Sequence, residues 1–201
     1  MKLRKLFCIA GVALAAFASS PASAVVVTGF SSAAGNTYMD FSDDGLVSFD
    51  LDLNRPSGTT FNFRIESEDM GGPLLFNAVV NNLFGSGISR FVLTLSNATF
   101  DFIGSVNAPF DAGAGASGSG SSATISFPTP DTFGFEIGDP LAVGLPEQNW
   151  RINISNLEEG DSFSLRLQQV PEPGSLALLL GALAAAGFAH RRTANRHRHV
   201  V

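Results

Sequence analysis

The sequence predicts an all-β protein: an antiparallel β-sandwich of jelly-roll type, flanked by an N-terminal signal peptide and a C-terminal transmembrane helix. Three observations lead to the fold class. Short runs of about five to eight residues alternate apolar with polar side chains, each run ends at Gly, Pro, Asn or Asp, and no amphipathic helix separates the runs. About eight to ten strands of this kind bury their apolar faces by forming two packed sheets.

The alternation is clearest in LVSFDLDL at residues 46–53 and in TFNFRIE at residues 60–66. Later runs contain Phe91, Leu93 and Leu95; Phe100 and Phe102; Phe133, Phe135 and Ile137; Trp150, Ile152 and Ile154; and Phe163, Leu165 and Leu167. Because successive side chains of a strand point to opposite faces, the apolar set is expected to face the core. The core residues predicted in this way include Phe49, Phe63, Phe91, Leu93, Phe135, Ile152 and Leu165.

Two segments break the alternation. Residues 67–80 are compatible with either a short helix or a loop. Residues 111–122, DAGAGASGSGSS, are expected to be a flexible connection, because so much glycine and serine favours disorder over a strand.

Residues 1–24 have the features of a secretory signal peptide. The three cations of residues 1–5 precede an apolar run at residues 6–18, and small side chains follow at Ala22 and Ala24. We therefore expect export and cleavage after Ala24. The alternative, a first membrane-spanning helix, is disfavoured because an apolar run of about a dozen residues is too short to cross a bilayer.

The end of the chain, residues 170–201, combines three features in order. Its opening motif consists of Val170, Pro171, Glu172 and Pro173. Residues 174–189 are then apolar except for Ser175, and Arg191 and Arg192 begin a basic tail. Since proline breaks a helix, the predicted transmembrane helix begins after the motif, and the arginines act as the stop-transfer signal. The positive-inside rule keeps the tail cytoplasmic and places the preceding domain on the outer side of the inner membrane.

This arrangement resembles the PEP-CTERM sorting signal of Gram-negative, exopolysaccharide-producing bacteria. The resemblance covers residues 170–201 only. It implies processing by an exosortase near Pro171–Pro173, transient anchoring in the inner membrane with the domain in the periplasm, and transfer to the cell surface or extracellular matrix. Proteins with this signal are often associated with biofilm formation. The signal does not specify the fold or activity of the domain that it carries.

The domain between the two signals, residues 25–169, is strongly acidic. It contains five arginines, no lysine and seventeen acidic residues, a net charge of about −12, whereas the whole chain carries −6. Such a charge disfavours nucleic acid as a partner and makes divalent cations natural counter-ions.

The same domain lacks the residues of the commonest catalytic centres. All three histidines lie in the basic tail, and the single cysteine, Cys8, lies in the signal peptide. This distribution excludes histidine-based acid–base catalysis, histidine-ligated zinc, disulfides and thiolate sites in the domain. We therefore expect no cofactor and no enzymatic activity.

Carboxylates remain as candidate ligands and catalytic groups. The turn DFSDDG at residues 40–45 is a weak calcium candidate, since a hard cation binds several oxygens from one tight turn. Its candidate ligands are Asp40, Asp43 and Asp44. The simpler interpretation is an ordinary acidic turn. Asp50 and Asp52 lie on one face of one strand, which indicates a solvated face more than a glycosidase pair facing across a cleft.

Carbohydrate platforms usually present an exposed Trp or Tyr, and this chain has one of each, Trp150 and Tyr38. Trp150 begins an alternating run and is therefore predicted to be buried.

Two function classes follow from the sequence. The first is a structural protein of the cell surface or extracellular matrix, embedded in exopolysaccharide. The second is a carbohydrate- or calcium-binding module, with a carboxylate-dependent glycoside hydrolase as a more remote alternative.

Overall fold

The computed structural model describes residues 25–32, 35–110, 113–142, 148–170, 178 and 181–183. Within these ranges the chain is mostly β-strand. The strands are β1 (Val26–Ser31), β2 (Thr37–Asp40), β3 (Leu46–Leu53), β4 (Thr59–Arg64), β5 (Leu74–Asn82), β6 (Ile88–Ser96), β7 (Thr99–Phe102), β8 (Val106–Asn107), β9 (Gly115–Ser119), β10 (Ser122–Asp131), β11 (Gly134–Ile137), β12 (Trp150–Asn153) and β13 (Ser162–Gln169). Helical structure in these ranges consists of a 3-10 helix at Ser67–Gly71, 3-10 backbone at Gln148, and α-helical backbone at Leu178 and 181–183.

The strands form two sheets. Sheet 1 has the order β1-β4-β13-β6-β10-β9 and is antiparallel throughout. Sheet 2 has the order β2-β3-β5-β11-β8, with β12 paired to β5 beside β11 and β7 paired to β12. An all-β fold of two sheets was predicted, and it is confirmed.

One pairing departs from the antiparallel prediction. Strands β3 and β5 are parallel, from Leu46 opposite Leu75 to Leu53 opposite Asn82. The cause is the connection between them, because the chain crosses to sheet 1 to form β4 and then returns to sheet 2 in its original direction. Side chains alternate in the same way in parallel and in antiparallel pairs of strands. The sequence pattern therefore does not reveal that β3 and β5 are parallel. This mixed sheet does not confirm a jelly roll, whose strands are antiparallel.

The core lies between the two sheets, which pack face to face through aromatic side chains. Phe49 of sheet 2 stacks on Phe61 of sheet 1 with ring centroids 4.2 Å apart. Phe135 of sheet 2 contacts Phe91 and Phe127 of sheet 1 at 5.3 and 5.0 Å. All seven core residues named from the alternation are at most 1% exposed, so their predicted burial is confirmed.

Two phenylalanines of the alternating runs lie outside the core, contrary to expectation. Phe102 is 40% exposed because a register shift follows Phe100 in β7 and changes the parity of the strand. Phe133 is 62% exposed because it lies in the turn between β10 and β11, where Asp131 accepts a hydrogen bond from the amide of Gly134.

The two segments that broke the alternation both contain strands. After the 3-10 helix, β5 becomes an inner strand of sheet 2, and its inward residues Leu74, Phe76, Ala78 and Val80 are buried. Within residues 111–122, the flexible connection that was expected is wrong for Gly115–Ser119, which pairs with β10 as an edge strand. The backbone of β10 supplies the hydrogen bonds that this glycine-rich sequence does not specify by itself.

Gly134 combines a positive φ with a close backbone neighbour, so a side chain there should be poorly tolerated. Its φ is +135°, and an added Cβ would lie 2.3 Å from the carbonyl oxygen of Val80 in the neighbouring strand. We expect Gly134→Ala to lower the free energy of unfolding by about 2–3 kcal/mol, through backbone strain and forced strand separation.

Chemical denaturation would measure this effect, with Gly45→Ala as the matched control. Gly45 also has positive φ, +67°, but no atom lies within 4 Å of an added Cβ. The control should therefore lose only about 1 kcal/mol, from conformational strain alone. Equal losses in the two variants would contradict the assigned clash at β5.

Candidate functional site

The domain passes into the sorting segment at the end of β13. The last strand residue, Gln169, lies opposite Phe91, and the amide of Val170 donates to the carbonyl of Arg90 at 3.0 Å. The remaining predicted sorting and cleavage residues lie outside the described ranges; they are Ala22, Ala24, Pro171, Glu172, Pro173, Arg191 and Arg192. Among the helical residues that the structure describes, none belongs to a helix both long and apolar enough to span a membrane.

The outer face of sheet 1 is rich in hydroxyl, amide and guanidinium groups, and we call it the hydroxyl face. Its polar outward side chains include Thr60, Asn62, Arg64, Arg90, Thr94, Ser96, Ser117, Ser119, Ser122, Thr124, Ser126, Ser164, Arg166 and Gln168. The apolar Val92 lies among them, between Gln168 and Thr124. The strand register places them in rows across the sheet. In one row Arg166 lies between Thr60 and Thr94, and Ser122 and Ser119 continue it.

Positive charge is concentrated on this face. Three of the five arginines of residues 25–169 belong to it, and the one carboxylate on the strands of sheet 1, Asp131, is 4% exposed and lies at the end of β10. Arg64 is held by Glu66 through a hydrogen bond of 2.8 Å from Nε. Arg90 and Arg166 are exposed and make no ion pair with any residue in the described ranges. Two guanidinium groups are thus available to an external anion.

Arg90 also borders a shallow depression of about 540 Å³ at the β9 end of the hydroxyl face. The depression is lined by Ser117 and Ser126 together with the small residues of β9. A guanidinium beside hydroxyl groups in a concave surface suits a ligand that carries both a carboxylate and hydroxyls.

The outer face of sheet 2 has the opposite charge. Asp50 and Asp52 are half-buried on β3, as predicted for one face of one strand, and Asp52 accepts a hydrogen bond of 2.9 Å from Asn81. Partial burial and the neighbouring charge of Asp52 raise the pKa of Asp50 above 3.8. Glu136, on the same face, accepts a hydrogen bond of 2.8 Å from Asn107.

The acidic turn uses its carboxylates to hold its own backbone. Asp40 accepts from the amide of Ser42 at 3.0 Å, and Asp43 accepts from the amide of Asp44 at 2.9 Å. Both contacts are ordinary features of aspartate in turns. Among the described residues, no three His, Cys, Asp or Glu side chains are grouped so that they could hold a metal ion.

A buried carboxylate, which the sequence pattern did not single out, joins this turn to the 3-10 helix. Asp69 is 2% exposed and accepts from the amides of Gly45 and Glu66 at 3.1 and 2.9 Å. Burial raises the pKa of Asp69, and the charges of Asp44 and Glu66 add to the increase, against the lowering effect of the two amides. Its role is therefore to fix two loops of the fold.

Neither Trp150 nor Tyr38 is an open sugar platform. Trp150 is fully buried, as predicted, and its Nε1 donates to the carbonyl of Ser105 at 2.9 Å. Tyr38 is 36% exposed, but one face of its ring stacks on Phe30 with centroids 4.4 Å apart.

The hydroxyl face was not predicted from the sequence. The sequence does contain the polar residues of this face, because they alternate with the apolar residues of β4, β6 and β13. Arg166, for example, lies between Leu165 and Leu167. The order of strands in the sheet decides which polar residues become neighbours, and that order is not encoded in any single run.

Comparison with known protein families matches residues 169–192 to the PEP-CTERM protein-sorting motif. The resemblance seen in the sequence is thereby confirmed: the chain carries the sorting signal of an exported protein that an exosortase processes. No curated protein and no solved structure matches the chain significantly.

Proposed function

We propose that this exported, exosortase-sorted protein is a non-enzymatic component of the cell surface or extracellular matrix, and that its hydroxyl face binds acidic polysaccharide. The observation that carries the proposal is the segregation of charge. Two arginines that form no ion pair with any described residue lie among hydroxyl and amide groups on one sheet of a domain that is otherwise strongly acidic.

The chemistry of this face matches a chain of sugars that bear carboxylates. A guanidinium binds a carboxylate through paired hydrogen bonds, and serine, threonine, asparagine and glutamine side chains exchange hydrogen bonds with sugar hydroxyls. Neighbouring strands are spaced at about 4.8 Å, so the rows of the face offer a repeating set of partners to an extended polymer.

The same distribution of groups supports a role without catalysis. Residues 25–169 contain no histidine, cysteine or lysine, and the carboxylates described above are committed to turns or to hydrogen bonds on the outer face of sheet 2. Among the residues that the structure describes, the hydroxyl face carries no pair of carboxylates arranged for glycoside hydrolysis.

Binding of the purified full chain to a polymer of uronic acid, with neutral dextran as the comparison, tests the proposal. The double variant Arg90→Gln/Arg166→Gln is expected to bind the acidic polymer at least about tenfold more weakly, because two charge-assisted contacts are lost. Binding of the unmodified protein should weaken as salt is added, and the polymer should keep its length.

Arg151→Gln is the matched control, since Arg151 lies on sheet 2 and is also about half exposed. Its affinity for the polymer should be unchanged. Equal binding to dextran, or equal loss in the control and the double variant, would refute the assignment to the hydroxyl face. Shortening of the polymer would refute the non-enzymatic role.

A further inference from the structure

A second concave surface lies on the opposite side of the domain, at one end of sheet 2. It has a volume of about 330 Å³ and is formed where β5 begins, β12 ends and β7 pairs with β12. Its apolar lining comes from Met70, Pro73 and Ile154, and its polar lining from Asp101, Asn153 and Ser155. This volume is at the lower end of the range found for small-molecule sites.

A β-bulge in β7 lies beside the carboxylate of this cavity. Phe102 lies opposite Arg151 and Phe100 lies opposite Ile152, so Asp101 between them has no partner in β12. The extra residue of a bulge is a common way to redirect a side chain toward a binding site. Because Phe100 is buried in the core, alternation places Asp101 on the outer face, at the cavity wall. The bulge redirects the next residue, Phe102, which is exposed.

The orientation of Asp101 is supported from one side. The Nε of Arg151 lies 3.3 Å from Oδ2 of Asp101, and the guanidinium of Arg151 lies 4.9 Å from the ring centre of Phe102. Arg151 is thus held against an aromatic face while it pairs with the carboxylate. Oδ1 of Asp101 has no partner among the described residues and can accept a hydrogen bond from a ligand.

Asn153 supplies the complementary donor. Its Oδ1 accepts a hydrogen bond of 2.8 Å from the amide of Ser155, which fixes the plane of the side-chain amide. Its Nδ2 has no acceptor in the part of the chain that the structure describes. The cavity therefore combines one free acceptor, one free donor and the hydroxyl of Ser155 beside an apolar wall.

We propose that this cavity binds a single neutral sugar residue. One hydroxyl of the sugar donates to Oδ1 of Asp101, and a neighbouring hydroxyl accepts from Nδ2 of Asn153. The carbon face of the ring packs on Met70 and Pro73. This site lies on sheet 2, is separate from the hydroxyl face, and does not depend on the function proposed for that face.

The charges of the cavity favour a neutral sugar over other ligands. An anionic sugar would meet the negative charge of Asp101. A divalent cation would find one carboxylate, already paired with Arg151, where such ions bind several oxygens. A wholly apolar ligand would leave Asp101 and Asn153 desolvated without hydrogen bonds.

Saturation-transfer NMR of the purified full chain with the methyl glycosides of glucose, galactose and mannose tests the proposal. At least one of these probes should bind in a saturable way. Asp101→Ala and Asn153→Ala should each weaken that binding about tenfold or more, because each removes a hydrogen bond to the sugar. Met70→Glu, at a side chain that is 47% exposed, should weaken it by placing charge against the ring.

Asp52→Asn is the matched control, because it removes a carboxylate from the same sheet but outside the cavity. It should bind the glycosides as the unmodified protein does. Circular dichroism of each variant shows whether weaker binding comes from a local change or from unfolding. If an Asp101 variant unfolds, Met70→Glu still tests whether the cavity binds the sugar. Absence of binding to all three glycosides, stronger binding of methyl glucuronide, or undiminished binding in the cavity variants would overturn the proposal.

Discussion

Replacing Phe61 with alanine is expected to lower the free energy of unfolding by about 3–5 kcal/mol, which is the usual effect of removing a buried aromatic ring. Phe61 is fully buried in β4, where its ring stacks on Phe49 at 4.2 Å and contacts Phe30 and Tyr38 at 5.2 Å each. These neighbours belong to both sheets. The truncation therefore leaves a cavity at the contact between sheets, which rigid strands cannot close.

Denaturant unfolding followed by circular dichroism would measure the loss. Phe110→Ala is the appropriate control, since Phe110 is 71% exposed and its replacement should change stability by no more than about 0.5 kcal/mol. If Phe61→Ala were no less stable than this control, the packing assigned to the two sheets would be wrong.

Loss of the exosortase is expected to abolish maturation of the protein entirely. Cells without the enzyme should accumulate a longer, membrane-bound form and should release none of it to the surface or medium. The reason is that residues 169–192 match the sorting motif that an exosortase processes. Because proline is excluded from a helix interior, the sequence predicts that Pro171 and Pro173 keep this part of the motif out of regular helix. Immunoblots of membrane and culture fractions, with and without the enzyme, would measure both size and location.

The double variant Pro171→Ala/Pro173→Ala should reproduce this retention in cells that have the enzyme. Pro109→Ala is its control, because Pro109 is an exposed proline within the domain and outside the sorting motif. A protein of unchanged size and location in the strain lacking exosortase would disprove sorting and would leave a simple C-terminal anchor as the explanation.

The sequence was sufficient to predict those strands in which apolar and polar residues alternate, and to predict which of their side chains face the core. Phe49, Phe135 and Leu165 were placed in the core on periodicity alone, and each is buried. Burial follows from a local pattern, because every second residue of a half-exposed strand meets the same environment. The sorting motif was equally accessible, since its information lies in one contiguous segment.

Features that depend on a neighbouring strand were not predictable in this way. The parallel pairing of β3 with β5 follows from where β4 lies, and β9 is ordered by the backbone of β10. Phe102 lies outward, beside the Arg151 that pairs with Asp101, because of a bulge that exists only in the pairing of β7 with β12. Each of these requires a long-range register, and a run of alternating residues does not contain one.

The position of β13 determines how the domain would carry a mechanical load. This strand lies between β4 and β6, hydrogen-bonded on both sides, and the sorting motif begins at its last residue, Gln169. Tension applied at the C-terminal end of this strand therefore enters the interior of sheet 1 directly. Extracting β13 requires the hydrogen bonds to two neighbouring strands to break together. An edge strand has only one neighbour and would separate by breaking one set of hydrogen bonds. A load on this end of the domain would thus be borne by a strand that is hydrogen-bonded to a neighbour on each side.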